Sequence, residues 1–579
     1  MRISLPVRVF LAVIAGFVGY WLIYAGTPTI AFGFAGIYAI LLVLTVMAFI
    51  LYFPAGIGMI VAFLIYLFVF DPYMSRHIGR SEEFRDLIGQ RTVGKFTQDV
   101  TPIDPSQIRI VDGEMAKKIG EKLLGEESAL GSRAELGEMH VQHVKGKLYW
   151  VAPVLHNGYF AWSKFSGGTP GYIKVSATNP NDFEFVRKIN GQEIHIKYQP
   201  NGWFGDNLER HLWLNGYMSK GITDFTFEID DEGKPYYVIT VYARKIGWAG
   251  SDTVGVAVVD VQTGDIQPFT PEKAPAWIDR IQPSDIVYTQ LGWWGDYQDG
   301  WFNPSGNKKL KPTHDALFVH GTDGHGYWYT GISSKGNEGS ISGFAMVDSR
   351  TKEFRYYEVA GTTEDAAQKS VLGKVKSMNY QASYPILYNV GGRPTYVMSL
   401  KDDAGLVKMI GMADVGDHSV VGVGDTVQDA LRNYASAQNS KGNAVLLDDK
   451  IKAKKITGKI GRAARDDRGG NTYYHLAIAS EQGKIFVGDS NLSQELITTQ
   501  VGDTVEVEFA SNSETGFIQM SGFKNHTLGI KKGTTQSSIE EGDKQLRKEK
   551  EQGQDVKEAD SRWEKFSPEE KAKKLEQLK

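Results

Sequence analysis

Residues 7–70 read VRVFLAVIAGFVGYWLIYAGTPTIAFGFAGIYAILLVLTVMAFILYFPAGIGMIVAFLIYLFVF, with no Asp, Glu or Lys and a single Arg, Arg8. Water-soluble cores are not built from an apolar run of that length. A helix crosses bilayer hydrocarbon in about 20 apolar residues, so the run has room for three spans. In lipid the backbone must bond to itself, which makes the spans helical. Two breaks divide the run, Gly26-Thr27-Pro28-Thr29 and Pro54-Ala55-Gly56, where Pro removes a donor and Gly relaxes the chain. The expected spans are 7–24, 30–53 and 56–70, inside a membrane region of residues 1–70. A cleaved signal peptide would account for the first span alone, and no small-residue cleavage site follows it.

Arg2 and Arg8 lie at the N-terminal flank of the first span, and Arg76, Arg80, Arg85, Arg91 and Lys95 follow the third in a juxtamembrane linker, 71–111. Counting basic residues near the ends puts the large body on the cytosolic side of a plasma (inner) membrane. The N-terminal arginines weighed alone put the N-terminus in the cytosol and, with three spans, the body outside. The chain has no cysteine, which excludes a disulfide scaffold, thiolate metal sites and cysteine nucleophiles. A net charge of −4 supplies no field that would gather nucleic acid. Aromatic residues make up 12% and Gly numbers 64, which favours short aromatic strands joined by Gly turns.

Beyond the apolar run the chain repeats itself. GKLYWV at 146–151, GKPYYV at 233–238, GHGYWY at 324–329 and GRPTYV at 392–397 read alike, and each comes after an extended segment (139–144, 225–229, 316–320, 386–390). Each is a Gly turn closing a β-hairpin. A second Gly-led strand then recurs as GYIKV at 171–175, GVAVV at 255–259, GFAMV at 343–347 and GMADV at 411–415. In the middle two it runs on into Asp260-Val261-Gln262-Thr263-Gly264 and Asp348-Ser349-Arg350-Thr351-Lys352, turns capped by the Asp side chain. A two-part match in the same order four times is a repeat. Helices sit between hairpins: Met115, Ile119 and Leu123 make one stripe over 114–124, Thr363 caps a helix opening Glu364-Asp365, and Thr426 caps another through Val427, Ala430, Leu431 and Tyr434.

These residues resemble PepSY-type modules, small units of one helix over an antiparallel sheet with a G-x-x-Y-x-V … V-D-x-x-T-G rhythm. The nearest match is 233–269, and the resemblance covers 112–437 as successive modules. The fourth unit lacks the Asp-x-x-Thr-Gly turn, and the first has Thr178-Asn179-Pro180-Asn181 there. The resemblance implies membrane-associated, non-enzymatic modules and names no substrate.

Gly202-Trp203-Phe204-Gly205-Asp206-Asn207 and Gly292-Trp293-Trp294-Gly295-Asp296-Tyr297 precede the second and third hairpin turns at nearly equal spacing, and Trp301-Phe302 adds a further aromatic pair. Flat rings beside Asp suit a sugar, a protein hot spot or a lipid headgroup. They equally suit packing between repeats. The candidate binding residues are Trp203, Phe204, Asp206, Trp293, Trp294, Asp296 and Trp301. His314, His320 and His325, with Asp315 and Asp323, form a candidate metal group. The alternative is that His325 is a variant of the basic turn residue seen as Lys147, Lys234 and Arg393. No hydrolase, zinc-protease or phosphate-loop motif occurs, so no catalytic residue and no cofactor is expected.

From 451 to 525, strand-like runs at 455–461, 473–479, 484–488, 504–509 and 517–521, with the polar stretch 491–499 after the third, suggest a small OB-like barrel, an SH3-like barrel being the rival. Lys450, Lys452, Lys454, Lys455, Lys459, Arg462, Arg465 and Arg468, with Tyr473 and Phe486, could hold single strands of nucleic acid; interspersed acids dilute that charge. Residues 534–579 alternate in charge and read as a solvated helix or a disordered tail, with a short final helix expected at 568–578, preceded by Trp563 and Phe566.

The expected fold class is therefore N-terminal transmembrane α-helices, a large β-rich α+β body of repeated helix-plus-antiparallel-sheet modules, and a C-terminal β-barrel. The expected function is a membrane-anchored scaffold or binding protein, non-enzymatic, whose partners are the lipid bilayer, other proteins and a second copy of itself. The alternatives are a membrane-bound enzyme on glycan or peptide, with Asp206 and Asp296 converging over the Trp loops, and a membrane tether for nucleic acid through the barrel.

Overall fold

The computed structural model describes residues 4–529 except 101–102, 128–129, 166, 304–305, 307, 322–323, 337–338, 442, 444–452, 469–470, 482, 490–491 and 511–515. Asp323, Lys450, Lys452 and the tail with Trp563 and Phe566 lie outside the described residues. The chain divides into two units, up to residue 450 and from 451 onward.

The apolar run forms helices α1 (Leu5–Gly26), α2 (Gly36–Leu51) and α3 (Phe53–Met74). α1 and α3 are long and apolar enough to cross a membrane; α2 is apolar and shorter. The expected boundaries shift for two reasons. Residues 27–35 leave the helix because they bond to the body instead, Ile30 N donating to Met218 O (2.8 Å). α3 continues past the expected stop at Phe70 through a widened turn, Tyr66–Phe70, in which Asp71 N donates to Tyr66 O. That π-turn lets the helix absorb Pro72, whose ring would clash with a regular i−4 carbonyl. α1 and α2 approach closely at Gly19, where an added Cβ would lie 2.6 Å from Val43, and α2 and α3 at Gly56 against Phe49. Small residues let helices meet in this way.

The body holds four antiparallel meanders of four strands. Unit 1 comprises His140–Val144, Lys147–His156, Tyr172–Ser176 and Phe183–Val186. Unit 2 comprises Gly221–Ile229, Pro235–Ile246, Ala249–Asp260 and Ile266–Phe269. Unit 3 comprises Leu317–His320, Gly326–Ser334, Gly343–Asp348 and Phe354–Tyr357. Unit 4 comprises Ile386–Val390, Arg393–Lys401, Val407–Asp414 and Val421–Gly424. Gly146, Gly233, Gly324 and Gly392 all sit at positive φ in the first hairpin, a conformation that favours Gly. The register repeats as well: Tyr236 pairs with Asp260, Tyr327 with Asp348 and Thr395 with Asp414, while Tyr149 meets Ser176 in unit 1.

A helix precedes each meander: Gly113–Gly125, Leu208–Leu212, Ser284–Asp296 and Glu364–Lys374. The first and last stand where their caps place them, Asp112 and Thr363 accepting from the backbone N–H of Met115 and Ala366. The units share cores pairwise. Units 1 and 2 meet around Val151, Tyr172, Phe227 and Tyr237. Units 1 and 3 meet around Trp150, Val175, Trp328 and Val347, and units 3 and 4 around Tyr329, Phe344, Tyr396 and Met412. Burying apolar faces between units is what lets small sheets persist. The segment expected as a linker, 71–111, is built into this body. Arg91–Gly94 adds a parallel edge strand beside Phe354–Tyr357, and Phe96 packs against Phe344 and Tyr357.

In the second unit, strands Ala453–Arg468, Asn471–Ile478, Lys484–Asp489, Thr504–Ala510 and Gly516–Asn525 close into a barrel in the order first, second, third, fifth, fourth. Its core holds Ile460, Leu476, Val505, Val507 and Ile518. Phe486 is buried there against Phe509, so it offers no face on which a base could stack. Lys455 is neutralised by Glu506 and Glu508.

Candidate functional site

The Trp loops are two different structures. Residues 202–207 form a turn, with Phe204 at positive φ, that leads into the helix Leu208–Leu212. Residues 292–296 are not a loop but the last turns of the helix Ser284–Asp296. Equal spacing to the next hairpin concealed this difference. Trp294 is 5% exposed and packs on Phe354 and Tyr356, so it is core. Trp293 stacks edge-on to Phe84, in the segment that follows α3. Asp206 accepts from Trp162 Nε1 (3.0 Å) and lies 3.8 Å from Lys197; Asp296 pairs with Lys335. The two carboxylates are held by separate partners.

Trp203 and Phe204 are exposed, and their surroundings give them meaning. Trp203 meets Tyr159 edge-on (5.2 Å), and beside Tyr159 stands Phe160, 80% exposed. Arg210 donates from Nη1 to Phe204 O and from Nη2 to Ala25 O at the end of α1 (3.1 Å). Leu214 and Met218, also exposed, flank the bonds that Trp213 Nε1 makes to Pro28 O (2.9 Å) and Ile30 N makes to Met218 O. Tyr38, at the start of α2, stacks on Trp248 with centroids 4.6 Å apart, and Trp248 N donates to Ser75 Oγ just beyond α3. Trp301 and Phe302 are exposed four and five residues beyond Tyr297, whose hydroxyl bonds His77 Nδ1 (2.8 Å). An exposed aromatic fringe thus gathers where the apolar helices enter the body.

The histidines do not converge. His314 Nε2 faces Asp365, His320 Nε2 faces Asp279, and His325 Nδ1 faces Asp348, at 3.0–3.2 Å each. Among the described residues no group of three His, Asp or Glu is placed to hold a metal ion.

His320 instead belongs to a buried polar junction. Asp279 Oδ2 accepts from His143 N (2.6 Å) and lies 3.0 Å from His320 Nε2, while Asp279 N donates to Glu228 Oε2 (2.9 Å). One residue therefore ties units 1, 2 and 3 together. Gln142 adds a second tie, exchanging two hydrogen bonds with the backbone of Ile229 as a neighbouring strand would. Burial, with Asp279 adding to it, pushes the Glu228 carboxyl up to about 8. Burial pushes His140, beside Arg280, down to about 3 and lowers His143 as well.

Next to this junction is a cavity of about 530 Å³ lined by His143, His320, Arg109, Tyr388 and the apolar walls Leu148 and Val319, among others. Arg109 Nη1 donates to Phe318 O (3.1 Å), Nε is buried without a partner, and among the described residues no carboxylate pairs with it. Burial lowers the Arg109 pKa. The sequence held a sign of this site in Ile108-Arg109-Ile110, a charge set between two apolar residues. A lone charge among apolar neighbours marks a buried role, but not which units meet there.

No family model matches the chain, and no curated protein matches it. Solved structures with some likeness include the GH32 β-fructofuranosidase of Bombyx mori, at 13% identity over 71% of this chain and 70% of that one, TM-score 0.16. Another is a levansucrase of B. megaterium, at 9% identity over 72% of this chain and 96% of that one, TM-score 0.15. Likeness this slight carries no argument about fold or activity.

Proposed function

We propose that the chain is a membrane-anchored binding protein. Three apolar helices cross the bilayer, α2 as the short middle pass. The body, a series of PepSY-like units, rests on the membrane surface on the cytosolic side, where the basic residues flanking α3 outnumber those flanking α1. The barrel, OB-like in strand order, is a second contact module. Recognition, not bond-making, is the chemistry, and its site is the cavity beside the Asp279 junction.

The observation that carries this reading is Arg109, a half-buried cation whose shielded Nε lacks a partner and with which no carboxylate pairs among the described residues, at the wall of a cavity large enough for a small organic molecule. A cation shielded from water favours an opposite charge, so the cavity suits an anion with an apolar body, the carboxylate or phosphate meeting Arg109, His143 and the Tyr388 hydroxyl, away from the exposed lining carboxylate of Asp104, which accepts from Ser106. Among the described residues lining the cavity there is no Ser, Thr or Cys nucleophile, which favours binding over acyl transfer.

Thermal unfolding of the full chain in detergent tests it, with benzoate and phenyl phosphate as anionic probes and benzamide as the neutral one. A ligand bound only to the folded state raises the midpoint. The anions are expected to raise it and benzamide not, and the rise is lost in Arg109→Gln and in His143→Gln. No anion-dependent rise in the unmutated chain, or an equal rise in both variants, overturns the proposal.

A further inference from the structure

A second cavity, of about 500 Å³, lies where the segment between α1 and α2 meets unit 2. Phe32 and Phe34 form one wall; Ser219, Lys220, Arg244 and Val254 belong to the other. Among its described lining residues there is no Asp or Glu. Arg244 Nη1 donates to Ser251 Oγ (2.7 Å), its Nε is buried without a partner, and its guanidinium stands 5.5 Å from the ring centroids of Phe34 and Tyr242. Lys220 lies over Tyr217 (4.7 Å). Among the described residues neither cation pairs with a carboxylate. Of the lining residues, Phe32 is 79% exposed and Val254 is exposed as well.

From this we propose that the cavity binds the phosphodiester headgroup of an anionic membrane phospholipid, with Arg244 and Lys220 on the phosphate and Phe32 and Val254 along the first carbons of the acyl chains. The inference rests on the reading that α1–α3 lie in a bilayer. Three features support it together. Arg244, half-buried with its Nε shielded, and the exposed Lys220 both line the cavity without a carboxylate partner among the described residues. The mouth of the cavity opens beside the ends of apolar helices, at headgroup depth. Its lining joins exposed apolar residues, Phe32 and Val254, to the basic residues Lys220 and Arg244, and basic pockets at membrane proteins bind anionic headgroups. Arg suits phosphate because its planar fork donates two bonds at once.

Native mass spectrometry of the full chain released from nanodiscs tests the inference. The nanodiscs contain phosphatidylcholine alone or phosphatidylcholine with phosphatidylglycerol. One phosphatidylglycerol is expected to stay bound, retention falling about tenfold in Lys220→Gln and in Arg244→Gln, the loss expected for one charge-assisted contact. Lys245→Gln, an exposed neighbour outside the lining, retains it. Equal retention in all four proteins overturns the inference. If inorganic phosphate displaces the lipid and binds alone in detergent, the site takes soluble phosphate and the lipid assignment falls. A chain that does not enter nanodiscs overturns the membrane reading itself, a result distinguishable from the other two.

Discussion

Arg393 Nε lies 2.7 Å from Asp414 Oδ2, and the same relationship joins Lys234 to Asp260 (2.6 Å) and His325 to Asp348 (3.2 Å). In units 2, 3 and 4 the basic residue after the turn Gly meets the acid at the end of the third strand. Asp260 and Asp348 each also accept two backbone N–H bonds in the following turn. One carboxylate thus closes the hairpin and starts the next connection. Unit 1 has Ser176 at that register, so its turn is made differently.

Removing these acids should destabilise the units in a fixed order. Asp414 also accepts from Tyr434 Oη (3.0 Å) and Gln438 Nε2, and it is fully buried. Asp414→Ala leaves several donors without an acceptor and should cost about 3–5 kcal/mol, the range for breaking a buried ionic network. Asp260→Ala and Asp348→Ala should cost about 2–3 kcal/mol through lost backbone bonds. Chemical denaturation of the three variants checks the order; a smaller loss for Asp414→Ala than for Asp348→Ala contradicts it.

The raised Glu228 carboxyl predicts a pH dependence with a definite sign. The folded state holds this proton up to about pH 8, while the unfolded chain releases it near the ordinary value of 4.5. Between those limits the folded state binds more protons, so this group's contribution to stability falls as pH rises, by at most about 1.4 kcal/mol per pH unit. Asp279 and Arg280 also face it. Glu228→Gln, which resembles the protonated acid, should flatten the decline between pH 6 and 8. Unfolding midpoints measured across that range in both proteins decide it, and parallel declines would show that Glu228 is not the source.

The seat of the body on the helices should be measurable as a coupling energy. Tyr38 and Trp248 stack at an interplanar angle of 12°. A double-mutant cycle of Tyr38→Ala and Trp248→Ala should return about 1 kcal/mol, the usual worth of an aromatic pair. Strict additivity would mean the stack does not hold the body to α2.

Much of this architecture was legible in local chemistry. Turn glycines place the first hairpin turn of all four meanders, while strands such as Pro235–Ile246 and Ala249–Asp260 run well beyond the expected segments. The strand-like runs overlap the five barrel strands, with Ala453–Arg468 running longer because it pairs with two neighbours. The hidden features depend on contacts between distant segments. Trp293 and Trp294 read as a loop because Gly292 and Gly295 resemble turn residues, whereas packing on Phe84, Phe354 and Tyr356 stabilises a helix there. The α1–α2 connection read as membrane span because its apolar residues face a protein surface. Arg109, His143 and Asp279 come from three separate segments, and no local pattern joins them.

The position of the body on the bilayer is the central claim, and it can be measured directly. The chain has no cysteine, so single spin labels at Phe160→Cys, Phe204→Cys and Phe302→Cys are clean probes. Collision with oxygen, which concentrates in lipid, is compared with collision by a water-soluble nickel chelate in reconstituted vesicles. Aromatic residues of an interfacial fringe sit at headgroup level, so all three labels should favour oxygen and be shielded from nickel. If all three favour nickel as a solvent loop does, the body stands clear of the membrane and the central claim is wrong.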